Sequence, residues 1–299
     1  MKKKILIFGE NGLVGSRFSE THNSTFEIIA PTMEEVNILD EAQIKQSVEE
    51  NNPDIIINFA AYTNVDEAEK EKGDKNGLIY KLNSLAPKTL AEICKKNNRF
   101  LVHFSTSYVF DGTQKDRPYK EDDPKNPLGW YAKTKHFADE FIGSSGCDFL
   151  IIRIEMPYRS HYPQKKDLAR FFLEQLHMGK EVVAVKNQKI TPGFIDDIAH
   201  ALAKIIIGKT KGIFHLGSTD FTTPYDFARQ IAQEFNLDKK LIKECSFAEY
   251  HKTRIAPRSQ YSWLDINKFV SQFGDGILHT NADNIKTFKK QIDTFLKLA

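Results

Sequence analysis

Tyr131 and Lys135 stand four residues apart in Tyr131-Ala132-Lys133-Thr134-Lys135, a spacing that puts a phenol and an ammonium on one face of a helix. A cation so placed favours the phenolate. It would draw a tyrosine pKa of about 10 toward neutrality, so that the group can exchange a proton. Taken alone the pairing also has a plain reading, because Tyr-x-x-x-Lys is frequent as a surface pair on helices. A second cluster, Ser105-Thr106-Ser107, closes the apolar run Phe100-Leu101-Val102-His103-Phe104. A hydroxyl at the carboxyl end of a strand could hold a carbonyl oxygen against the phenol, or could simply satisfy a turn. The third feature is Gly9, Gly12 and Gly15, directly behind the apolar run Ile5 to Phe8. Glycine lets a strand turn sharply into a helix and lets a pyrophosphate approach the helix N-terminus. Spaced glycines are often only turn chemistry, so it is the order of the three motifs that carries weight.

The elements that must hold these residues alternate between strand and helix. A helix is expected over Gly12–Glu20, a strand over Phe26–Ala30, and a helix over Glu41–Asn51 capped by Asp40. Buried strands follow at Pro53–Asn58, Phe100–Phe104 and Phe149–Arg153, with a helix over Asn83–Asn97 and another carrying Tyr131 and Lys135. The segment Glu67–Lys75 reads as a solvated loop or helix start. This alternation predicts an α/β fold of Rossmann type, a doubly wound parallel sheet. After Arg153 it loosens into a loop over Met156–Asp167. Then come a helix at Leu168–Met178, a strand at Val182–Val185, a helix at Ile195–Ile207, a strand at Gly212–Gly217, and helices at Thr222–Phe235 and Asn281–Leu298. The expected organisation is a dinucleotide-binding domain over residues 1–155, joined again by 193–217. A smaller C-terminal α/β lobe for substrate would comprise 156–192 and 218–299. His215 reads as a strand residue that packs or bonds locally, and Trp263 with Tyr261 as core or dimer surface.

The chain has 299 residues and a formal net charge of +2, which favours neither nucleic acid nor an anionic membrane as partner. Met1-Lys2-Lys3-Lys4 looks like a signal n-region, but the apolar run behind it ends in glycine after Phe8, too short for an h-region. No stretch reaches the ~18 apolar residues of a membrane span. Cys94, Cys147 and Cys245 are isolated and lack metal-ligand spacing, as expected of reduced thiols in a cytoplasmic enzyme without a metal site.

In order and spacing, Gly-x-x-Gly-x-x-Gly, Ser-Thr and Tyr-x-x-x-Lys resemble the extended short-chain dehydrogenases/reductases that act on nucleotide sugars. Within them the likeness is greatest to the dTDP-4-dehydrorhamnose reductase group. Asn58-Phe59-Ala60-Ala61-Tyr62-Thr63-Asn64-Val65-Asp66-Glu67-Ala68-Glu69 and Ser105-Thr106-Ser107-Tyr108-Val109-Phe110-Asp111-Gly112 follow that group's motifs. Gly212-Ile213-Phe214-His215-Leu216, and Arg258 through Ser262-Trp263-Leu264-Asp265, echo its later ones. The resemblance implies NADPH or NADH as cofactor and a nucleotide-diphosphate sugar as substrate, in the service of cell-surface polysaccharide synthesis, with a homodimer possible. It makes Thr106 the hydroxyl that polarises a 4-keto oxygen, Tyr131 the proton donor and Lys135 the residue on the nicotinamide ribose. Gly9, Asn11, Gly12, Leu13, Val14 and Gly15 would line the pyrophosphate. Asn37, Ile38, Ala60, Ala61 and Tyr62 would flank the rest of the cofactor, and Thr63, Val65, Thr106 and Arg258 would meet the substrate.

Arg258 is the candidate for the diphosphate, whose oxygens a guanidinium fork fits. The strand end Ala30-Pro31-Thr32 carries neither the acid that selects NADH nor an arginine for a 2′-phosphate. Several positions depart from the group's pattern: Asn37 for Asp, Ser107 for Asp, Ala132 for Gly, Ser259 for Pro, and the run Lys186 to Pro192. A 4-epimerase would use the same three catalytic residues, and a regulatory relative would keep only nucleotide binding. The intact Thr106, Tyr131 and Lys135 favour an enzyme.

Overall fold

The computed structural model describes residues 2–298; Met1 and Ala299, at the two ends of the expected domains, lie outside the described residues. Among the described residues eight strands are formed: β1 Lys4–Phe8, β2 Glu27–Ile29, β3 Ile55–Asn58, β4 Phe100–Thr106, β5 Asp148–Ile154, β6 Val182–Val185, β7 Gly212–His215 and β8 Ile242–Cys245. Six of them make one sheet in the order β2-β1-β3-β4-β5-β7, and every pairing in it is parallel. The chain goes from β1 outward to β2, then crosses back to β3 on the other side. The strand order therefore reverses at β1, and the crevice beyond the carboxyl ends of β1 and β3 is where such a sheet takes its ligand.

Both faces of the sheet are covered, which is why its strands read as unbroken apolar runs rather than alternating ones. Ile5, Ile7, Ile57, Val102 and Ile152 pack on one side against Ile198, Leu202 and Ile205 of the helix Ile195–Ile207. Leu6, Phe8, Ile56, Leu101 and Ile151 pack on the other against Ile44, Leu90 and Ile142. A separate cluster holds the C-terminal elements, with Phe172, Phe227, Ile231 and Phe288 around the parallel pair β6–β8. Three helix ends follow local chemistry. Asp40 caps Glu41–Asn51 by accepting from the amides of Ala42 and Gln43. Asn52 and Asn98 end their helices in the left-handed conformation that asparagine tolerates.

Some expectations need correcting. The helix expected over Asn83–Asn97 starts earlier: Leu78–Tyr80 runs through a π turn, Lys81–Leu85, into Ala86–Asn97. Pro87 sits at the start of the last piece. It has no amide proton for the carbonyl four residues back, so the ladder shifts and the Ala86 amide reaches Lys81 instead. Glu67–Lys75 takes the helix-start alternative at its beginning, since Val65–Ala68 is helical and Glu69–Glu71 is a 3₁₀ turn. Strand β8 and the helices Phe247–Lys252 and Asn267–Phe273 were not anticipated.

The loop of residues 156–167 lies across the helix Leu13–His22. The Arg159 guanidinium pairs with Glu20 at 2.8 Å and donates to the Ser16 hydroxyl at 3.0 Å. The Tyr162 hydroxyl donates to the Asn11 carbonyl at 2.7 Å. Among the described residues no helix is long and apolar enough to cross a membrane.

Candidate active site

The glycine turn is built for close approach. Gly9 has φ +79°, and a Cβ there would stand 2.4 Å from the Ala60 amide nitrogen. A Cβ at Gly15 would stand 2.6 Å from the Gly9 carbonyl. Both clashes are with backbone, so neither position can carry a side chain without moving β1 away from its helix or from the chain behind β3. Gly12 is the N-cap of Leu13–His22 and offers no side-chain cap. The amides of Leu13, Val14 and Gly15 are beyond the reach of any carbonyl of their own helix. These amides, with the positive end of the helix dipole, make a site for an anionic group. A dinucleotide's pyrophosphate fits this cradle, and the small side chains of Ala60 and Ala61 leave room beside it.

Thr106 ends β4, and its hydroxyl accepts from the Tyr108 amide at 3.2 Å. Tyr131 comes to it from the helix Trp130–Ser144. Burial pushes the phenol up to about 12, and the neighbouring Thr106 side chain opposes that rise. Two flanking hydroxyls, on Ser105 and Ser107, are buried without a partner. The chain thus sets Tyr131 beside Thr106, its ring edge-on to Tyr108 with the centres 6.4 Å apart. Lys135 takes a buried partner that the spacing did not show. Its Nζ lies 3.0 Å from Nε2 of His103, on β4. Burial is the main influence on the phenol's ionisation.

The helix carrying both residues is anchored from below by Asn83, in the π turn. Asn83 exchanges two hydrogen bonds with the Tyr62 backbone, at 2.8 and 3.0 Å, and donates to the Thr134 hydroxyl at 3.2 Å. The Ser84 hydroxyl donates to the Thr134 carbonyl at 2.7 Å. The register shift at Pro87 thereby ties Tyr62 to the helix of Tyr131.

The other expected site residues are placed as follows. Thr63 accepts from Lys165 Nζ at 2.7 Å, so the loop of residues 156–167 reaches the end of β3. Val65 packs in a small cluster with Tyr62, Tyr108, Trp130 and Tyr131. Asn37 closes its own turn, accepting from the Leu39 amide at 2.9 Å, and Ile38 is buried against β1. Arg258 is nearly buried and already engaged, pairing with Asp66 at 2.9 Å and donating to the Ala256 carbonyl at 3.0 Å. His215 is buried with neither ring nitrogen partnered, and it stands edge-on to Phe110.

Trp263 is buried beneath Lys189, whose Nζ lies 4.1 Å from the ring centre. Sequence reasoning passed over His103, Asn58 and Glu155. The signal for each was a polar side chain inside or at the end of an apolar strand, where burial demands a partner.

The whole chain can be set beside known proteins. The family described as RmlD substrate binding domain matches residues 2–293. The chain belongs to that family. Among RmlD-family relatives it is similar to the spore coat polysaccharide biosynthesis protein SpsK of Bacillus subtilis, 30% identical over 87% of this chain and 88% of that one. It is also similar to the crystal structure of a dTDP-4-dehydrorhamnose reductase from Clostridium acetobutylicum. That match has a TM-score of 0.87 and 28% identity, covering 98% of this chain and all (100%) of that one. The dTDP-4-dehydrorhamnose reductase of Bacillus anthracis, solved in complex with NADP, superposes with a TM-score of 0.88 at 25% identity, over 97% of this chain and 100% of that one. The RmlD-family fold and the Rossmann-type sheet agree with what the motifs implied.

Proposed function

We propose that this chain reduces the 4-keto group of a nucleotide-linked deoxysugar, using NADPH or NADH. The observation that carries the reading is the meeting of Tyr131 with Thr106 at the carboxyl end of β4. The glycine cradle stands at the mouth of the same sheet. The reduced nicotinamide supplies a hydride when bound. In this reading Thr106 holds the keto oxygen, and Tyr131, kept neutral by its burial, gives that oxygen a proton. Lys135 faces the nicotinamide ribose. Gly9, Asn11, Gly12, Leu13, Val14 and Gly15 hold the pyrophosphate, with Asn37, Ile38, Ala60, Ala61 and Tyr62 along the rest of the cofactor.

Thr63, Val65 and Arg258 belong to the substrate side. Because Arg258 is tied to Asp66 at 2.9 Å, it offers the diphosphate only the part of its fork that Asp66 leaves. The dinucleotide domain is residues 1–155 with 193–217, and residues 156–192 with 218–299 form the substrate lobe. The chain works in the cytoplasm, as a homodimer.

The test is a panel of 4-keto nucleotide sugars, with NADPH or NADH oxidation followed by absorbance. Oxidation dependent on one of them supports the reading. No oxidation with any, together with interconversion of the reduced 4-epimers on retained NAD, would replace the reductase with an epimerase.

A further inference from the structure

A chain of two buried side chains, Asn58 and His103, runs behind Lys135, and its hydrogen-bond directions can be assigned from one end. The Ala60 amide donates to Asn58 Oδ1 at 2.9 Å. A backbone amide can only donate, so this bond identifies the oxygen of the Asn58 amide and turns its NH₂ toward His103. Asn58 Nδ2 lies 3.3 Å from His103 Nδ1. Nδ1 must therefore accept, and the proton of a neutral imidazole then sits on Nε2. Nε2 faces Lys135 Nζ at 3.0 Å. An N–H that meets an ammonium is two donors face to face, whereas an N–H that meets a free amine is a hydrogen bond. Asn58 and His103 are register partners on β3 and β4, so the sheet itself holds this order.

We propose that His103, its tautomer set by Asn58, is a positioning residue that controls the protonation state of Lys135. The surroundings work in the same direction. His103 and Lys135 are 0% and 2% exposed, and burial holds the imidazole well below its ordinary range, so it stays neutral. Burial also lowers Lys135 to about 8, opposed by Asp139 one turn along the same helix. Asp139 is itself held by Arg153 of β5 at 3.0 Å, with Lys125 also acting on that pair. Tyr131, one turn back on the helix, is neutral through its own burial. When Lys135 takes a proton, either the ring must move its own proton to Nδ1 and lose Asn58, or the ammonium must turn away. His103 thus favours the amine, against the pull of Asp139 toward the ammonium. The role within catalysis rests on the reductase reading above; the hydrogen-bond order does not.

The experiment follows the ring nitrogens of His103 by long-range proton–nitrogen correlation in the full chain labelled with ¹⁵N-histidine, the signal assigned by its loss in His103→Gln. The expected result is a neutral ring with its proton on Nε2 at high pH, whose nitrogens shift in one step as Lys135 titrates, and no step in Lys135→Met. A proton on Nδ1 throughout, a charged ring near neutrality, or a step that survives Lys135→Met overturns the proposal. Kinetics add a second arm. In His103→Gln a carbonyl can face Nζ, so the basic limb of kcat/KM should move up by one pH unit or more; an unmoved limb counts against the proposal. If no substrate is reduced, the reductase reading fails, and the nitrogen spectra still decide the role of His103.

Discussion

Replacing Glu155 by glutamine should stabilise the protein, and do so only where the parent side chain is forced to ionise. Glu155 follows β5 and is buried. Its Oε2 accepts from the Thr191 amide at 2.7 Å and its Oε1 accepts from the Ser262 hydroxyl. Its carbonyl accepts from the Gly193 amide at 2.9 Å. The residue therefore ties the sheet to two segments, 189–193 and 260–264. Burial pushes the carboxyl up to about 7, against opposing help from those two donors. In the unfolded chain the same group titrates near 4.5. A raised folded pKa means that the native state holds the proton longer. Its contribution to stability is complete below the unfolded value and is lost as pH rises through the folded one.

The loss in full is about 3.5 kcal/mol, from a rise of about 2.5 in pKa at about 1.4 kcal/mol per unit. Between pH 5 and pH 8 roughly 2.5 kcal/mol of it should appear, because part is already lost at pH 5. Glutamine can accept from Thr191 with its oxygen and donate to the Ser262 oxygen with its amide, so both bonds survive. The assay is chemical denaturation of the parent and Glu155→Gln at pH 5, 6.5 and 8. The two should be within about 1 kcal/mol at pH 5, and the variant should gain steadily above it. Every other titrating group is common to both chains and cancels in the difference. A constant gap across that range would refute the argument, as would a variant that loses ground with rising pH.

Three further outcomes can be checked on the same protein. Tyr131→Phe should lower kcat by at least ~10²-fold, the worth of a positioned general acid, with NADPH affinity by calorimetry unchanged; a rate within a few-fold of the parent would remove Tyr131 from proton transfer. The two cofactors should bind within about tenfold of each other, because the cavity of about 400 Å³ beyond β2 is lined by Ala30, Pro31, Glu35 and Gln43 among others and by no lysine or arginine; a hundredfold preference in titration would contradict this. Arg258→Ala should raise KM for the nucleotide sugar far more than it lowers kcat, since tail binding is shared by ground and transition states, and Asp66→Asn, which frees the guanidinium, should not copy it; a collapsed kcat at unchanged KM would mean that Arg258 serves the chemistry or the fold instead.

The contrast between what was legible beforehand and what was not follows from the range of the interactions. Parallel strands covered on both faces are written as local apolar runs, so β1, β3, β4 and β5 and the helices between them could be found from neighbours alone. The cap at Asp40 and the glycine turn are equally local. Strand β8, Ile242–Cys245, has two exposed members and pairs only with β6, some sixty residues away; its period carries too little signal. The site divides along the same line. Thr106 and Tyr131 belong to motifs whose order along the chain is itself informative. Lys135 shares Tyr131's helix face by spacing, yet where its amine goes depends on how deep that face lies and on what the sheet offers there. Helical spacing sets which residues can meet; burial sets which meeting is taken. Beside an equally buried phenol the Lys135 amine finds its partner in His103, which the register of β3 on β4 fixes in place. A histidine within Leu-Val-His-Phe is the one place in that run where a buried polar group needs an answer, and the answer lies on a helix some thirty residues on. Tertiary depth, which no local pattern encodes, decides which of the meetings that spacing allows is made.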